Sequence, residues 1–142
     1  EVAVVVKPMG MPMYYSASKE GRRQRARGPP DLVTSLPGCL EPCTSPTALP
    51  SGPAAAHRLD KATGGLVLVC KTVGAARSIS EQFATRGVGK RYRAVVIGSI
   101  EGKGRMDGDV DGKEALSLFE PVARTRSLKF GWLTLMDLWP KT

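Results

Sequence analysis

Ala56-His57-Arg58-Leu59-Asp60-Lys61-Ala62-Thr63-Gly64-Gly65-Leu66-Val67-Leu68-Val69-Cys70 sets ten chemically dense residues directly before a five-residue apolar run. Leu66–Cys70 is too short for a buried helix and rich in valine and leucine, so it predicts a short buried strand. His57, Arg58, Asp60 and Lys61 then fall where the chain enters that strand, at a sheet rim where backbone is held while side chains face a cleft. Asp60 lies between two cations, and a carboxylate kept ionised in this way can act as a nucleophile or base. The same residues also fit a capped turn in which Asp60 accepts hydrogen bonds from the backbone N–H groups of Ala62 and Thr63. The residues alone leave both readings open.

Working outward, Val73–Arg86 places Ala76, Ile79 and Phe83 at i, i+3 and i+7, with Gly87 as a C-cap candidate, and predicts an amphipathic helix. Tyr92–Ile97 predicts a strand closed by Gly98. Glu114–Phe119 alternates weakly, and Phe130–Trp139 predicts a long strand apolar on both faces. Upstream, Glu1–Val6 predicts a buried strand, stopped by the two prolines and glycine of Lys7–Pro12. Residues 16–30 are polar and basic without apolar periodicity and read as an exposed loop. Asp31–Leu36 suggests a helical turn with Asp31 as N-cap, and residues 37–53 a loop rich in Pro, Ser and Thr. Residues 16–53 are thus expected to be largely irregular. The order of elements predicts an α+β domain built on a mostly antiparallel or mixed sheet with a flanking helix.

The chain has 142 residues, 42% hydrophobic and 24% charged, which suits one globular domain of about 100–200 residues. No apolar run exceeds five residues against the roughly 20 that cross a bilayer, so no membrane association is expected, and no secretory signal is visible. Lys and Arg number 21 against 13 Asp and Glu, a net +8, and residues 57–100 alone carry +6. That excess favours a polyanionic partner, nucleic acid before an anionic membrane. Three cysteines are too few and too odd for a disulfide framework, which points to a reducing compartment. A zinc site of Cys39, Cys43, His57 and Cys70 is disfavoured, because Cys39 and Cys43 lack the usual C-x2-C spacing and Cys70 ends an apolar run. Asp107–Gly112 matches the first half of a calcium loop, but Leu118 stands where the bidentate Glu belongs, so a polar turn between strands is expected. Arg22–Arg27 reads either as a nucleic-acid-contacting loop or as a solvated run of charge.

His57-Arg58-Leu59-Asp60 with Thr63, Gly65 and Cys70-Lys71-Thr72 resembles the H-R-L-D-x-x-T-S-G-x-x-x-x-A-K-T signature of the RluA-type pseudouridine synthase family. Val4–Pro12 is similar to the family's opening V-V-x-K-P-x-G-x-x-V. Glu81-Gln82-Phe83 and Lys90–Gly98 resemble the helix and the K-x-Y-x-A-x-V-x-G strand that follow the signature. The resemblance covers residues 2–12 and 56–98 well and 114–142 loosely. It implies an RNA pseudouridine synthase that isomerises uridine in structured rRNA or tRNA, with no cofactor and no metal. Asp60 is implied as the essential catalytic residue, and Tyr92 as the aromatic that stacks on the base and accepts a proton. Arg58, His57, Lys61, Thr63, Lys90 and Arg91 are implied to bind or position RNA. A monomer inside the cell, in the cytoplasm or in a mitochondrion or chloroplast, is expected.

Gly64 replaces the family's Ser and Cys70 its Ala, both small exchanges. The family's closing T-G-R-x-H-Q-x-R run supplies a residue that pairs with the catalytic aspartate. Leu138–Thr142 resembles only the approach to it, so residues 1–142 are expected to be a truncated catalytic domain with residues 56–98 as its motif region. The alternative is a catalytically silent RNA-binding module of the same fold. A nucleoside hydrolase fits less well, since the motif holds no second carboxylate to activate water.

Overall fold

A computed structural model describes residues 1–142. The chain forms two compact units, Glu1–Thr85 and Arg86–Thr142.

The first unit contains β1 (Val2–Lys7), α1 (Lys19–Arg27), α2 (Leu32–Cys39), β2 (Ala54–Ala55), β3 (Gly65–Cys70) and α3 (Val73–Ala84). Its three-stranded sheet has the order β1-β3-β2, and both pairings are antiparallel. β3 is the strand expected at Leu66–Cys70, and Val67 and Val69 on its inner face are fully buried. β1 departs from the expectation of a buried strand. It runs against β3 from Val2↔Cys70 to Lys7↔Gly65, and its side chains obey the two-residue period. Ala3, Val5 and Lys7 turn inward, whereas Val2, Val4 and Val6 stand exposed on the other face. α3 confirms the predicted amphipathic helix. The Thr72 hydroxyl accepts from the Ala75 N–H at 3.3 Å, and Ala75, Ala76, Ile79 and Phe83 form the covered stripe. The helix ends sooner than expected: Thr85 is the C-cap and Arg86 takes the left-handed conformation at φ 58°, one residue before Gly87.

Residues 16–53 are not the irregular stretch expected, because α1 and α2 lie within them. α1 has no apolar stripe to betray it. Its stability comes from good helix formers in Lys19–Arg27, from Glu20 in the first turn with Arg25 and Arg27 in the last, and from Ser18 at the N-cap, which accepts from Gly21 N–H at 3.0 Å. Asp31 caps α2 as predicted, accepting from Thr34 N–H at 3.0 Å. That helix continues through Pro37 to Cys39 and buries Leu32 and Leu36, one turn apart.

The second unit is a four-stranded antiparallel sheet of β4 (Tyr92–Ile97), β5 (Gly104–Val110), β6 (Lys113–Ser127) and β7 (Gly131–Pro140), in the order β4-β7-β6-β5. β4 and β7 match the two predicted strands closely. β6 is far longer than Glu114–Phe119 suggested, and β5 was not anticipated. The acidic Asp107–Gly112 segment is part of a hairpin: Asp111 and Gly112, at φ 52° and 74°, make the two-residue turn between β5 and β6. Beyond Phe119, β6 outruns β5, and there Pro121 and a bulge at Val122 are accommodated where one edge needs no donor. Thr134 is fully buried on β7; its hydroxyl donates to the Gly98 carbonyl at 2.7 Å and accepts from Ile100 N–H at 3.1 Å, holding the exit from β4. No helix is long and apolar enough to cross a membrane.

Across β4 and β7, Arg93 grips Asp137 with two hydrogen bonds of 2.7 and 2.9 Å. These bonds, with the nearby charges of Arg93 and Arg91, hold the Asp137 carboxyl below the usual carboxylate range against the opposing effect of burial. A carboxyl depressed in the folded state contributes stability above its unfolded pKa, about 3.9, and loses it as pH falls through the depressed value. Acid titration followed by circular dichroism is therefore expected to show wild-type protein losing stability below about pH 4. Asp137→Asn is expected to be less stable at neutral pH and to lose less on acidification; an unchanged acid profile would contradict this role.

Candidate active-site loop

Residues 56–64 connect β2 to β3, and three contacts within the first unit shape them. Ala56 N–H donates to the Leu68 carbonyl at 2.8 Å, Leu59 buries its side chain, and Thr63 N–H donates to the Asp60 carbonyl at 3.0 Å. His57 Nε2 accepts the Leu68 N–H at 3.1 Å, and its ring lies 4.9 Å from that of Phe83 on α3. An imidazole accepting at Nε2 is the neutral form with its proton on Nδ1. Half-buried His57 thus braces the loop from within.

The tightest anchor is Lys7. Its side chain is fully buried, and its Nζ donates to the carbonyls of Met11 at 2.7 Å, Pro8 at 3.2 Å and Lys61 at 3.5 Å. Gly10 N–H adds a 2.8 Å bond to the same Lys61 carbonyl. The Pro8–Pro12 turn and the loop are thereby joined through one cation. A Cβ at Gly64 would sit 3.0 Å from Met9 Cγ and 3.3 Å from Met9 N, so glycine lets this turn lie close against the loop. Neither role was visible from composition. The parity of β1, which puts Lys7 on the face of Ala3 and Val5, is the signal that could have revealed the first.

Asp60 projects from this frame with 80% of its side chain exposed. The chain does turn after Asp60, but it is the Asp60 backbone carbonyl that accepts the hydrogen bond from Thr63 N–H. The carboxylate lies 3.5 Å from Arg58 Nη2, an exposed pair of about 0–1 kcal/mol that leaves Asp60 available for chemistry. Arg58 also reaches Tyr14, donating from Nη1 to its hydroxyl at 3.3 Å with the guanidinium 5.8 Å from the ring centre. Tyr14, which sequence reasoning did not single out, lines an open, mostly apolar groove of about 500 Å³ with Met13, Val33, Pro53, His57 and Arg58. A planar arginine beside a tyrosine offers stacking surfaces to an unstacked base. Lys61 is exposed and Thr63 half-buried, so the first unit brings together five predicted site residues, His57, Arg58, Asp60, Lys61 and Thr63.

The other three belong to the second unit. Tyr92 opens β4 opposite Leu138 and is half-buried on the same face as Ala94 and Val96. Lys90 is half-buried and Arg91 exposed, and the charge of Arg91 acts on Asp137. No group of three or more His, Cys, Asp or Glu side chains is placed to hold a metal ion. Cys70 is buried, which pushes its thiol pKa up, and Cys39 is exposed at the end of α2.

The family model described as RNA pseudouridylate synthase matches residues 1–136. Ribosomal large subunit pseudouridine synthase D of Neisseria meningitidis serogroup B is 32% identical over 109 residues, covering 77% of this chain and 26% of that protein. The Xanthomonas campestris protein of the same name is 40% identical over 55 residues, 39% of this chain and 17% of its own length. Two solved human structures share the fold over 99% of this chain: RNA Pseudouridylate Synthase Domain Containing 4 (TM-score 0.67, 21% identity) and Domain Containing 1 (TM-score 0.65, 18% identity). The matches cover 56% of each human chain, so this chain spans about half their length.

The loop geometry separates residues that hold it from residues it presents. Asp60→Asn, at an exposed side chain, is expected to change unfolding free energy by no more than about 0.5 kcal/mol in urea titration. Leu59→Ala is expected to lose about 2–5 kcal/mol by emptying a buried site. A large destabilisation by Asp60→Asn would mean that its carboxylate supports the fold instead.

Proposed function

The chain belongs to the RNA pseudouridylate synthase family, and from that premise we propose that it isomerises uridine to pseudouridine in RNA with Asp60 as the catalytic carboxylate. The reaction breaks the N1–C1′ bond, turns the uracil and forms a C5–C1′ bond; C5 loses a proton and N1 gains one. Atoms and electrons balance within the substrate, so no redox partner is needed. A carboxylate can serve by adding to C1′ or by assisting proton loss as uracil leaves, and both routes need an aspartate that no structural contact consumes. The observation that carries the reading is the exposed Asp60 side chain on a loop whose backbone is pinned by Lys7, Leu59 and His57.

Reaching C1′ and turning the base requires the uridine to leave its stack, at a cost of about a few kcal/mol. Arg58, Tyr14 and their groove are suited to offset that cost by stacking and charge. Tyr92 is assigned, on its place in the Lys90–Gly98 pattern, to stack on the base or take up the C5 proton. Residues 1–142 are read as part of the catalytic domain, working as a monomer. The names of the bacterial relatives favour ribosomal RNA as substrate over transfer RNA, and an RNA substrate puts the enzyme inside the cell.

Conversion in a uridine-containing rRNA transcript, mapped by carbodiimide-adduct primer extension, is the test. Asp60→Asn and Asp60→Ala are each expected to lower conversion about a thousandfold or more while RNA binding persists. Undiminished conversion in Asp60→Ala would sink the assignment. RNA binding by wild-type protein without any conversion would favour the silent RNA-binding module.

A further inference from the structure

Five basic residues fall within the nine of α1, and the structure gives them different work. Arg25 Nη2 lies 3.1 Å from the buried carboxylate of Asp31, and Arg22 Nη1 donates to the Ala17 carbonyl at 2.9 Å. Arg23 and Arg27, about one turn apart on the helix, instead line an open groove of about 530 Å³ shared with Tyr15, Gln24 and Lys61. Lys61 comes from the loop that carries Asp60. One carboxylate, that of Glu20, also lines the groove, 3.5 Å from Gln24 Nε2, and leaves an excess of two positive charges there.

The helix bearing these cations is held by the segments that flank it. Gly21 is buried, and a Cβ added there would run into the Ser16 carbonyl. A Cβ at Gly28 would strike the Tyr15 hydroxyl and the Gln24 carbonyl. Tyr15 in turn donates to the Pro29 carbonyl at 2.9 Å. Arg25 and Asp31 close the arrangement, so Arg23 and Arg27 are presented from a fixed surface.

We propose that this groove between α1 and Lys61 is a binding site for the phosphodiester backbone of the substrate RNA, flanking the Asp60 loop. The proposal rests on the reading of the chain as an RNA isomerase and adds a site to it. Three cations around a solvent-open groove offer contacts to backbone phosphates. Arginine is the side chain best suited to them, through its planar fork of donors. Tyr15 adds an aromatic ring beside the phosphate track, the combination by which single strands are held without sequence preference. Because Lys61 directly follows Asp60, a strand seated here is led past the catalytic carboxylate.

Counterion release makes the site measurable. Each phosphate contact contributes about 0.7–0.9 to the slope of log affinity against log salt, so Arg23→Gln combined with Arg27→Gln should lower that slope by about 1.4–1.8. The probe is a labelled RNA stem–loop with uridines in its single-stranded loop, titrated with the protein at increasing KCl. Affinity at low salt is expected to fall about tenfold or more. Lys19→Gln combined with Arg22→Gln removes equal charge from the same helix outside the groove and is expected to leave most of the slope. Gly21→Ala keeps every charge but unseats α1, and is expected to weaken binding with the second unit still folded by near-ultraviolet circular dichroism.

Equal losses from the two charge pairs would overturn the proposal, as would an unchanged slope in the Arg23/Arg27 variant. So would displacement of RNA by polyglutamate at matched charge, which would mark the groove as a site for acidic peptide. Each of these results leaves the Asp60 assignment intact. Conversion that is independent of Asp60 removes the Asp60 assignment alone.

Discussion

One buried ammonium organises the first unit. Lys7 stands on the inward face of an edge strand, where an unpaired charge would be strongly unfavourable, and it persists because carbonyls of Pro8, Met11 and Lys61 surround its Nζ. Two of those carbonyls belong to the turn after β1 and the third to the loop before β3. Strand pairing between β1 and β3 brings the turn and loop near each other, and the cation then locks them together. Asp60 inherits a fixed position through its backbone while its carboxylate stays in solvent. Preorganised backbone with an uncommitted side chain suits the catalytic role proposed for Asp60.

Basic residues in each unit divide the same way, into those that build and those that reach outward. Lys7, Arg25 and Arg93 are consumed by carbonyls or carboxylates of the protein itself. Arg58, Lys61, Arg23 and Arg27 lie on open grooves. Net charge alone assigns all of them to a polyanion, but hydrogen bonding removes several from that role. His57 shows the same distinction among motif residues. It sits beside the catalytic candidate in sequence, yet its Nε2 is turned to the strand behind it.

Much of the architecture was legible in the chain. β3, β4 and β7 announce themselves as short or long runs rich in apolar and β-branched residues, and α3 by apolar residues three to four apart. Asp31 was recognisable as a helix cap because an aspartate before an apolar pair has few better uses. α1 was not legible, since a helix seated by glycine contacts and an ion pair needs no apolar stripe. β5 was hidden for a related reason: Arg105, Asp107 and Asp109 are exposed in an edge strand, where pairing to β6 supplies the stability that apolar alternation usually signals. The H-R-L-D loop was legible as a candidate site, but its support was not, because Lys7 is fifty-four residues away from Lys61 in sequence and meets it only through sheet pairing.

Amide hydrogen exchange in wild-type protein and a Lys7→Met variant tests this tether most directly, because methionine keeps the side-chain volume and removes the cation. The N–H groups of Gly10 and Thr63 bond to the loop's own carbonyls, and in the variant their protection is expected to fall about tenfold or more. Val67 and Val69, paired inside the sheet, should keep theirs. Unchanged protection at Gly10 and Thr63 would contradict the claim that a buried lysine holds the Asp60 loop in place.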